Sequence, residues 1–240
     1  MRAAAPATPH AMNTTEALPA PFPYRLWLVS LKSLPSPDDI ALLSPDECVQ
    51  AARFVFECDR RRYLAAHVAL RKTLALCVGG APASLRFETG RFGKPSLAHD
   101  APCAFNLSHC GDVAIIAVAQ EGQIGVDVEL EREVPDAMAL AALNFTASER
   151  EQLRALSGRE RDTAFLRCWT RKEACLKAIG SGLSIAPNLF ESGSIASCDH
   201  VVVPTDSGPV ELVVESLPER GGMFVAIART VVRPQVVPRK

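Results

Sequence analysis

Residues 164–183 read AFLRCWTRKEACLKAIGSGL, and this stretch decides the fold. At helical spacing its apolar residues form one stripe that is suited to burial against a sheet. Three charged residues lie within or beside that stripe, namely Lys172, Glu173 and Lys177. Because a charge on a buried face needs a partner or a function, we expect this helix to form one wall of a site.

The complementary acids lie upstream, in the strand-like segment Ile124-Gly-Val-Asp-Val-Glu-Leu130. Strand alternation places Asp127 and Glu129 on one side and the apolar residues on the other. Taken alone, this pair is more commonly a solvated strand face, and Glu173 with Lys177 is more commonly a surface pair. Three carboxylates and two lysines are nevertheless the constellation to explain.

The bulk composition favours an ordinary globular protein. The chain has 240 residues, a formal net charge of -1 and 48% hydrophobic residues, which suit one large domain or two lobes of roughly 100 residues. The near-zero charge excludes recruitment of nucleic acid or an anionic membrane by a whole-protein field. The eight cysteines show no metal-ligand spacing, so reduced thiols are favoured over a disulfide framework.

The order of elements predicts an α+β fold with two similar lobes, each with helices packed on a small, mainly antiparallel sheet, and a ligand cleft between them. Residues 1–23 are rich in Ala and Pro and read as a disordered tail; residues 24–120 form the N-terminal lobe and residues 121–240 the C-terminal lobe. No segment reaches ~18 apolar residues, so we expect no membrane span and a cytoplasmic protein. We expect helices after Ser44 to about Phe56, from Asp59 to Cys77, and after Thr146 and Ser157, and strands at 24–31, 85–87, 103–109, 113–119, 124–130 and around 195, 202, 212 and 226.

Carboxylates that converge without a His or Cys ligand suit a hard cation, Mg²⁺ first and Mn²⁺ second. Because Mg²⁺ prefers to share its shell with phosphate, the natural ligand is a di- or polyphosphate. Lys172 and Lys177 could neutralise charge on a transferred or departing phosphoryl group, and Lys172 could instead have a structural role, tethering its helix to the opposite lobe. The constellation therefore indicates phosphoryl chemistry, of which a nucleotide phosphohydrolase is one possible form.

Four motifs in order carry a resemblance to a known family: Gly93-Lys-Pro95, Asn106-Leu-Ser-His109, Ile124-Gly-Val-Asp-Val-Glu129 and Trp169-Thr-Arg-Lys-Glu-Ala-Cys-Leu-Lys177. Together they resemble the 4'-phosphopantetheinyl transferases, specifically the long, two-lobed surfactin-synthetase type. The resemblance implies a pseudo-two-fold fold that binds coenzyme A and Mg²⁺ between its lobes. It also implies transfer of phosphopantetheine to a serine of an apo carrier protein, with release of adenosine 3',5'-bisphosphate.

The resemblance also implies roles for individual residues. Asp127, Glu129 and Glu173 would hold Mg²⁺, Glu173 would also be the base for the carrier serine, and Lys177 would stabilise the leaving phosphate. The helix before Arg53 departs from the pattern, because Glu47 and Gln50 stand where some relatives have lysines for the 3'-phosphate. The implied coenzyme A contacts are Arg62 at the 3'-phosphate, where Arg53 or Arg91 could substitute for the missing lysines, Gly93, Lys94 and Pro95 at the adenine side, Ser108 and His109 at phosphate oxygens, and also Asn106 and Lys177.

The implied partner is a carrier protein of fatty-acid, polyketide or non-ribosomal peptide synthesis, consistent with secondary metabolite biosynthesis, and the implied state is a monomer. From Arg150 to Lys177 eight basic residues compare with five acidic ones, Glu149 included, which predicts a basic face for an acidic carrier. A catalytically silent coenzyme A-binding module is the remaining alternative. Glu173 and Lys177 argue against it, because binding alone does not require them.

Overall fold

Two four-stranded antiparallel sheets, each packed with a 22-residue helix, make up the computed structural model, which describes residues 14–20, 23–98, 103–193 and 198–231. The helices in these ranges are α1 (Pro37–Ile40), α2 (Pro45–Ala52), α3 (Glu57–Val78), α4 (Ala137–Asn144), α5 (Ala147–Arg154) and α6 (Gly158–Ile179). The strands are β1 (Thr15–Leu18), β2 (Tyr24–Ser30), β3 (Phe87–Thr89), β4 (Pro95–Leu97), β5 (Ala104–Cys110), β6 (Val113–Ala119), β7 (Ile124–Leu130), β8 (Cys198–Val203), β9 (Val210–Ser216) and β10 (Met223–Thr230).

The two sheets divide the chain at the β6–β7 connection. The first sheet has the order β1-β2-β6-β5, the second has the order β7-β10-β9-β8, and β3 with β4 forms a separate hairpin. Within each of these sheets, neighbouring strands run antiparallel over the described residues. The predicted α+β fold with two similar lobes is therefore confirmed.

The core has three layers of apolar contact. Helix α3 packs on one face of the first sheet, α6 packs on one face of the second, and the two remaining faces pack on each other. Strand alternation explains this division, because Trp27 and Val29 contact the α3 layer whereas the intervening Leu26 contacts the second sheet. Strand β7 is buried on both faces, so its residues Ile124 to Val128 are all inaccessible.

The boundaries of several elements differ from the sequence prediction. Helix α2 ends at Ala52 rather than near Phe56, since Phe56 has extended backbone and begins α3 instead. The predicted capping boxes form at Ser44 and Thr146, but Ser157 caps α6 without a side-chain hydrogen bond. Helices α1 and α4 are short additions that the periodicity did not reveal.

The N-terminal tail is not entirely irregular, contrary to the prediction. Thr15 to Leu18 form β1, which pairs with β2 because that strand would otherwise leave an open sheet edge. Glu16 in β1 also pairs with Arg220 of the second half at 3.0 Å. Residues 1–13, and the predicted strand around Ile195, lie outside the described residues.

Two further predictions concern the cysteines, expected to be reduced thiols, and the helices, none of which was expected to span a membrane. Among the described thiols Cys168 and Cys175 are buried, Cys48 and Cys58 are exposed, and all are free. Within the same ranges, no helix combines the length and the apolar character that crossing a membrane requires.

Helix α6 lies directly on the backbone of β7 at Gly125. A Cβ atom at this position would lie 2.2 Å from both Ala174 O and Ala178 N, two backbone atoms of the helix. Only glycine permits this approach, because backbone atoms cannot rotate away as a flexible side chain would. The contact determines how closely the charged face of α6 approaches the acidic face of β7.

Glu47 joins α2 to α3 through a buried network. Its carboxylate accepts the Ser44 N–H at 2.7 Å and pairs with Arg71 at 2.7 Å and with His67 Nδ1 at 3.0 Å. Burial opposes ionisation, but the hydrogen bonds from His67, Ser44 and Arg71 outweigh it and lower the pKa of Glu47 to about 2. Glu47 is therefore a structural acid, which explains why no lysine stands at this position.

We expect Glu47→Gln to destabilise the protein at neutral pH and not in acid. A lowered carboxyl pKa contributes stability above the unfolded value of 4.5, and that stability is lost as the pH falls towards 2. The shift corresponds to about 3 kcal/mol at pH 7. Urea denaturation at pH 7, 5 and 3 measures the difference, with the exposed Asp46→Asn as control. A wild-type advantage over the variant that stays constant with pH would contradict this account.

We expect Gly125→Ala to reduce the free energy of unfolding by about 3 kcal/mol, because the added methyl group overlaps the α6 backbone. Gly90→Ala is the matched control, since its Cβ would lie at an ordinary 3.4 Å from Lys94 O. Urea midpoints of the two variants are the measurement. Equal stability would show that α6 can shift without cost.

Candidate active site

Asp127 is the centre of a charged cluster at the junction of the two sheets. Its Oδ1 atom accepts hydrogen bonds from Lys177 Nζ at 2.5 Å and Ser108 Oγ at 2.8 Å, and Lys177 also donates to Ser108 Oγ at 3.0 Å. Its Oδ2 atom is buried and has no hydrogen-bond partner in the described structure. A buried carboxylate oxygen without a partner is costly and points to a missing ligand.

Asp127 acts electrostatically on two further carboxylates, Glu129 and Glu173, which were predicted to share its site. Glu129 Oε2 contacts Cys110 Sγ at 3.7 Å and Arg132 at 3.3 Å. The pKa of Glu173 is raised, first of all by burial. Lys177 opposes this increase, whereas the negative charges of Asp127 and Glu129 add to it. Burial likewise raises the pKa of both Asp127 and Glu129. The three acids therefore interact electrostatically across the gap between β7 and α6.

The donor atoms of this cluster suit a hard cation, because they are carboxylate oxygens and include the unpartnered Asp127 Oδ2. The side chains nevertheless do not form a metal-ligand group as they stand: in the described ranges no three His, Cys, Asp or Glu residues converge in that way. Lys177 occupies one oxygen of Asp127 and Arg132 one oxygen of Glu129. The residues thus fit the predicted cation chemically, while their coordination remains a prediction.

A cavity of about 330 Å³ opens beside the cluster and is lined from both halves of the chain. Ser108, His109 and Lys177 line it as predicted. Tyr63 and His67 of α3 also line it, with stacked rings 4.0 Å apart, and they were not predicted as site residues. Their i, i+4 spacing on one helix face was the available signal. The complete lining is Tyr63, Ala66, His67, Leu107, Ser108, His109, Cys110, Asp127, Val128, Glu129 and Lys177.

The glycine-rich loop lines a second cavity, of about 820 Å³, between the β3–β4 hairpin and the second half. Lys94 and Pro95 line this cavity, and Gly93 forms the hairpin turn with a φ of +88°. Arg91 is exposed beside Phe92, with its guanidinium 5.1 Å from the ring. Among the predicted ligand contacts, Lys94 and Pro95 therefore line the larger cavity, whereas Ser108, His109 and Lys177 line the smaller one.

Asn106 and Arg62 have protein partners in place of the predicted ligand contacts. Asn106 is buried and its Oδ1 accepts the Val126 N–H at 2.9 Å, which satisfies the edge of β7 facing β5. Arg62 binds Asp112 at 2.9 Å and Asp59 at 3.1 Å. A phosphate group would have to compete with both acids for this guanidinium, and the sequence did not indicate that Asp112 lies there.

Lys172 has a structural role inside the C-terminal half. Its side chain is fully buried, and Nζ pairs with Glu149 at 2.8 Å and donates to Pro187 O at 2.9 Å and Phe190 O at 2.6 Å. Burial opposes ionisation of Glu149, but Lys172 and backbone N–H groups outweigh it and lower the pKa of Glu149. The prediction that Lys172 neutralises a phosphoryl group is therefore wrong, and its partners lie in its own lobe.

The predicted basic face is also wrong in part. Arg171 and Lys172 are fully buried, so they contribute nothing to a surface. Arg154, Arg159 and Arg167 each form an ion pair with a neighbouring glutamate. Five of the eight basic residues counted along the sequence are therefore either buried or paired with a glutamate.

Comparison with known proteins covers both halves of the chain. The model of the 4'-phosphopantetheinyl transferase superfamily matches residues 123–202, and that of the 4'-phosphopantetheinyl transferase N-terminal region matches residues 36–121. The putative 4'-phosphopantetheinyl transferase slr0495 of Synechocystis sp. is 36% identical over 70% of this chain and 68% of its own length. The 4'-phosphopantetheinyl transferase HetI of Nostoc sp. is 38% identical over 66% of this chain and 69% of its own length.

The two matched regions meet between residues 121 and 123, which is the connection between β6 and β7. The cluster around Asp127 and both inter-lobe cavities are lined by residues from the two regions. The similarity therefore includes the whole candidate site, and the chain belongs to the 4'-phosphopantetheinyl transferase superfamily as a transferase enzyme.

Proposed function

We propose that this transferase moves the 4'-phosphopantetheine group of coenzyme A to a serine of an apo carrier protein and releases adenosine 3',5'-bisphosphate. One observation carries the proposal: a buried Asp127 carboxylate with one unpartnered oxygen, beside Lys177, in a cleft that both lobes line. A phosphohydrolase or a silent binding module lacks support, because the named relatives are transferases.

Asp127, Glu129 and Glu173 would hold Mg²⁺, or Mn²⁺ in its place. The fit rests on the oxygen-only donor set and on the free Oδ2 of Asp127. When bound, the cation supplies neutralisation of charge on the pyrophosphate of coenzyme A. Burial raises the carboxyl pKa of all three acids, and neighbouring acids add to the increase for Glu129 and Glu173; a bound cation would oppose both effects.

Glu173 is the proposed base for the carrier serine, directly or through water. Its pKa is raised by burial, which brings it closer to the pH at which a base is most effective. The serine oxygen attacks the phosphorus that bears pantetheine, and the bond from this phosphorus to the bridging oxygen breaks. Lys177 would then face the negative charge on the departing phosphate, since its ammonium group lies at the same cavity.

The adenosine part of coenzyme A would lie towards the larger cavity. The N-terminal lobe, residues 24–120, would supply Gly93 and Pro95 at the adenine side, with Ser108 and His109 near phosphate. Arg62 or Arg91 would contact the 3'-phosphate after release from their present partners. This division between an adenosine-binding lobe and a metal-binding C-terminal lobe, residues 121–240, corresponds to the long surfactin-synthetase type.

The carrier would belong to fatty-acid, polyketide or non-ribosomal peptide synthesis, and a cytoplasmic monomer serving secondary metabolism is the simplest setting. AcpT of Escherichia coli strain K12, another 4'-phosphopantetheinyl transferase, is 34% identical over 45% of this chain and 58% of its own length. Its similarity does not select one of these carriers.

We expect Asp127→Asn to lower kcat by about 1,000-fold, because the charge that holds the cation is lost while the side-chain shape remains. Glu173→Gln should lower kcat by at least about 100-fold through loss of the base. The assay mixes enzyme, coenzyme A, Mg²⁺ and an apo carrier domain, and measures the intact mass of the carrier. Glu133→Gln, an exposed acid of the neighbouring loop, is the control.

Calorimetric titration with Mn²⁺ in the presence of coenzyme A separates loss of the cation from loss of folding. Wild-type enzyme should bind Mn²⁺ and the Asp127→Asn variant should not. Full transfer by Asp127→Asn would overturn the metal site. Release of phosphate without a change in carrier mass would overturn the transferase proposal itself.

A further inference from the structure

Lys94 joins the β3–β4 hairpin of the first half to two elements of the second half. Its ammonium group donates to Ala178 O at 2.9 Å, Ile124 O at 3.0 Å and Gln123 Oε1 at 3.0 Å. Three donors thus meet three oxygen acceptors, of which Ile124 O lies in β7, Ala178 O in α6 and Gln123 Oε1 in the β6–β7 connection. This is the full hydrogen-bonding capacity of a lysine ammonium group.

The Ala178 acceptor belongs to the last turn of α6. Carbonyl groups in a last helical turn lack an intrahelical partner and carry the negative end of the helix dipole. A cation that binds there satisfies a carbonyl and stabilises the helix end. Lys94 therefore caps α6 with a side chain from outside the helix. The carbonyl that it caps belongs to Ala178, the residue after Lys177.

The Ile124 acceptor precedes Gly125, where α6 touches β7. Lys94 thus binds a carbonyl of the strand and a carbonyl of the helix, each next to the point where α6 and β7 are in closest contact. The stem of Lys94 packs against the residue that ends the helix, since a Cβ atom on Gly180 would lie 3.0 Å from Lys94 Cδ. A side chain on residue 180 would push this stem away.

The ammonium charge of Lys94 is not free for a ligand phosphate. Burial lowers the pKa of Lys94 to about 8, which reflects the loss of water around the ammonium group. Its position at the edge of the larger cavity brings its methylene groups near a ligand, while its charge is directed at carbonyl oxygens.

We infer that Lys94 is a positioning residue, which holds the C-terminal turn of α6 on β7 and so keeps Glu173 and Lys177 aligned with Asp127. The inference deepens the proposed function and rests on the roles given there to Glu173 and Lys177. This role differs from a contact with the adenine, because Lys94 would affect the rate of the chemical step by fixing the position of α6. A hairpin in contact with coenzyme A and with α6 would also connect ligand binding to the geometry of the reacting groups.

The test compares Lys94→Met, which keeps the length of the side chain and removes its donors, with Lys94→Arg, which keeps a cation. Carrier modification gives kcat and the KM for coenzyme A. We expect Lys94→Met to lower kcat at least 10-fold with less than a 3-fold change in KM, and Lys94→Arg to recover part of the loss. Lys72→Met is the control, a half-exposed lysine of α3 that pairs with Asp39.

Hydrogen exchange gives a readout that does not depend on activity. Amides of residues 178–181 should exchange at least 10-fold faster in Lys94→Met than in wild type, while those of α3 should not change. Should Lys94→Met fail to fold, Gln123→Ala removes one acceptor at an exposed position and should show the same pattern more weakly.

A rise in KM with unchanged kcat, or unchanged exchange at the end of α6, would overturn the inference. If wild-type enzyme does not modify the carrier, the proposed function fails instead. The exchange measurement still decides whether Lys94 holds the helix in that case.

Discussion

The close contact between α6 and β7 at Gly125 is the constraint on which the site depends. Strand residues 125, 127 and 129 share one face, so an approach that is close at Gly125 places Asp127 and Glu129 against the helix. Helix residues 173 and 177 are one turn apart and face the same strand. A side chain at position 125 would separate these two sets of charges, whatever their identity.

Buried charges in this protein differ in how completely they are satisfied. Lys172 meets Glu149 and two carbonyl oxygens, and Glu47 meets Arg71, His67 and a backbone N–H. Such complete pairing stabilises the fold, and removal of either partner leaves an uncompensated charge. Asp127 is different, because one of its oxygens is buried without a partner. The number of hydrogen-bond and ion-pair partners of a buried charged group therefore distinguishes structural from functional charges, whereas burial alone does not.

The sequence was informative where function and local pattern coincide. Alternation in β7 predicted that Asp127 and Glu129 share one face, and helical spacing in α6 predicted that Glu173 and Lys177 lie beside an apolar stripe, but neither pattern indicated that both faces of β7 are buried. Long-range partners could not be predicted, because no local pattern encodes them. Arg62 meets Asp112, 50 residues further along the chain, in the turn between two strands.

Lys172 and Lys94 also show that a sequence motif does not reveal the tertiary partners of a side chain. Lys172 lies in a motif with catalytic residues and was predicted to face phosphate, yet its helix turns it towards Glu149, away from Asp127. Lys94 lies in a loop whose glycines and proline are typical of ligand contact, yet its ammonium group binds backbone carbonyls of the other half. A motif identifies which residues matter, whereas only the tertiary contacts show whether a residue meets the ligand or holds another residue in place.

The charge balance of the cluster explains why stability and function oppose each other here. Three carboxylates with raised pKa values lie in this cluster, where Lys177 pairs with Asp127 and Arg132 pairs with Glu129. Burial and mutual repulsion therefore destabilise the folded chain at this point, and the Glu47 and Lys172 networks contribute stability elsewhere. Substituting Glu173 with a neutral residue would relieve its repulsion by Asp127 and Glu129, whereas substituting Asp127 would leave Lys177 without its carboxylate partner. Substitution of Glu173 would also remove part of the excess negative charge that a divalent cation requires, so this excess is itself an argument that the cluster binds a cation.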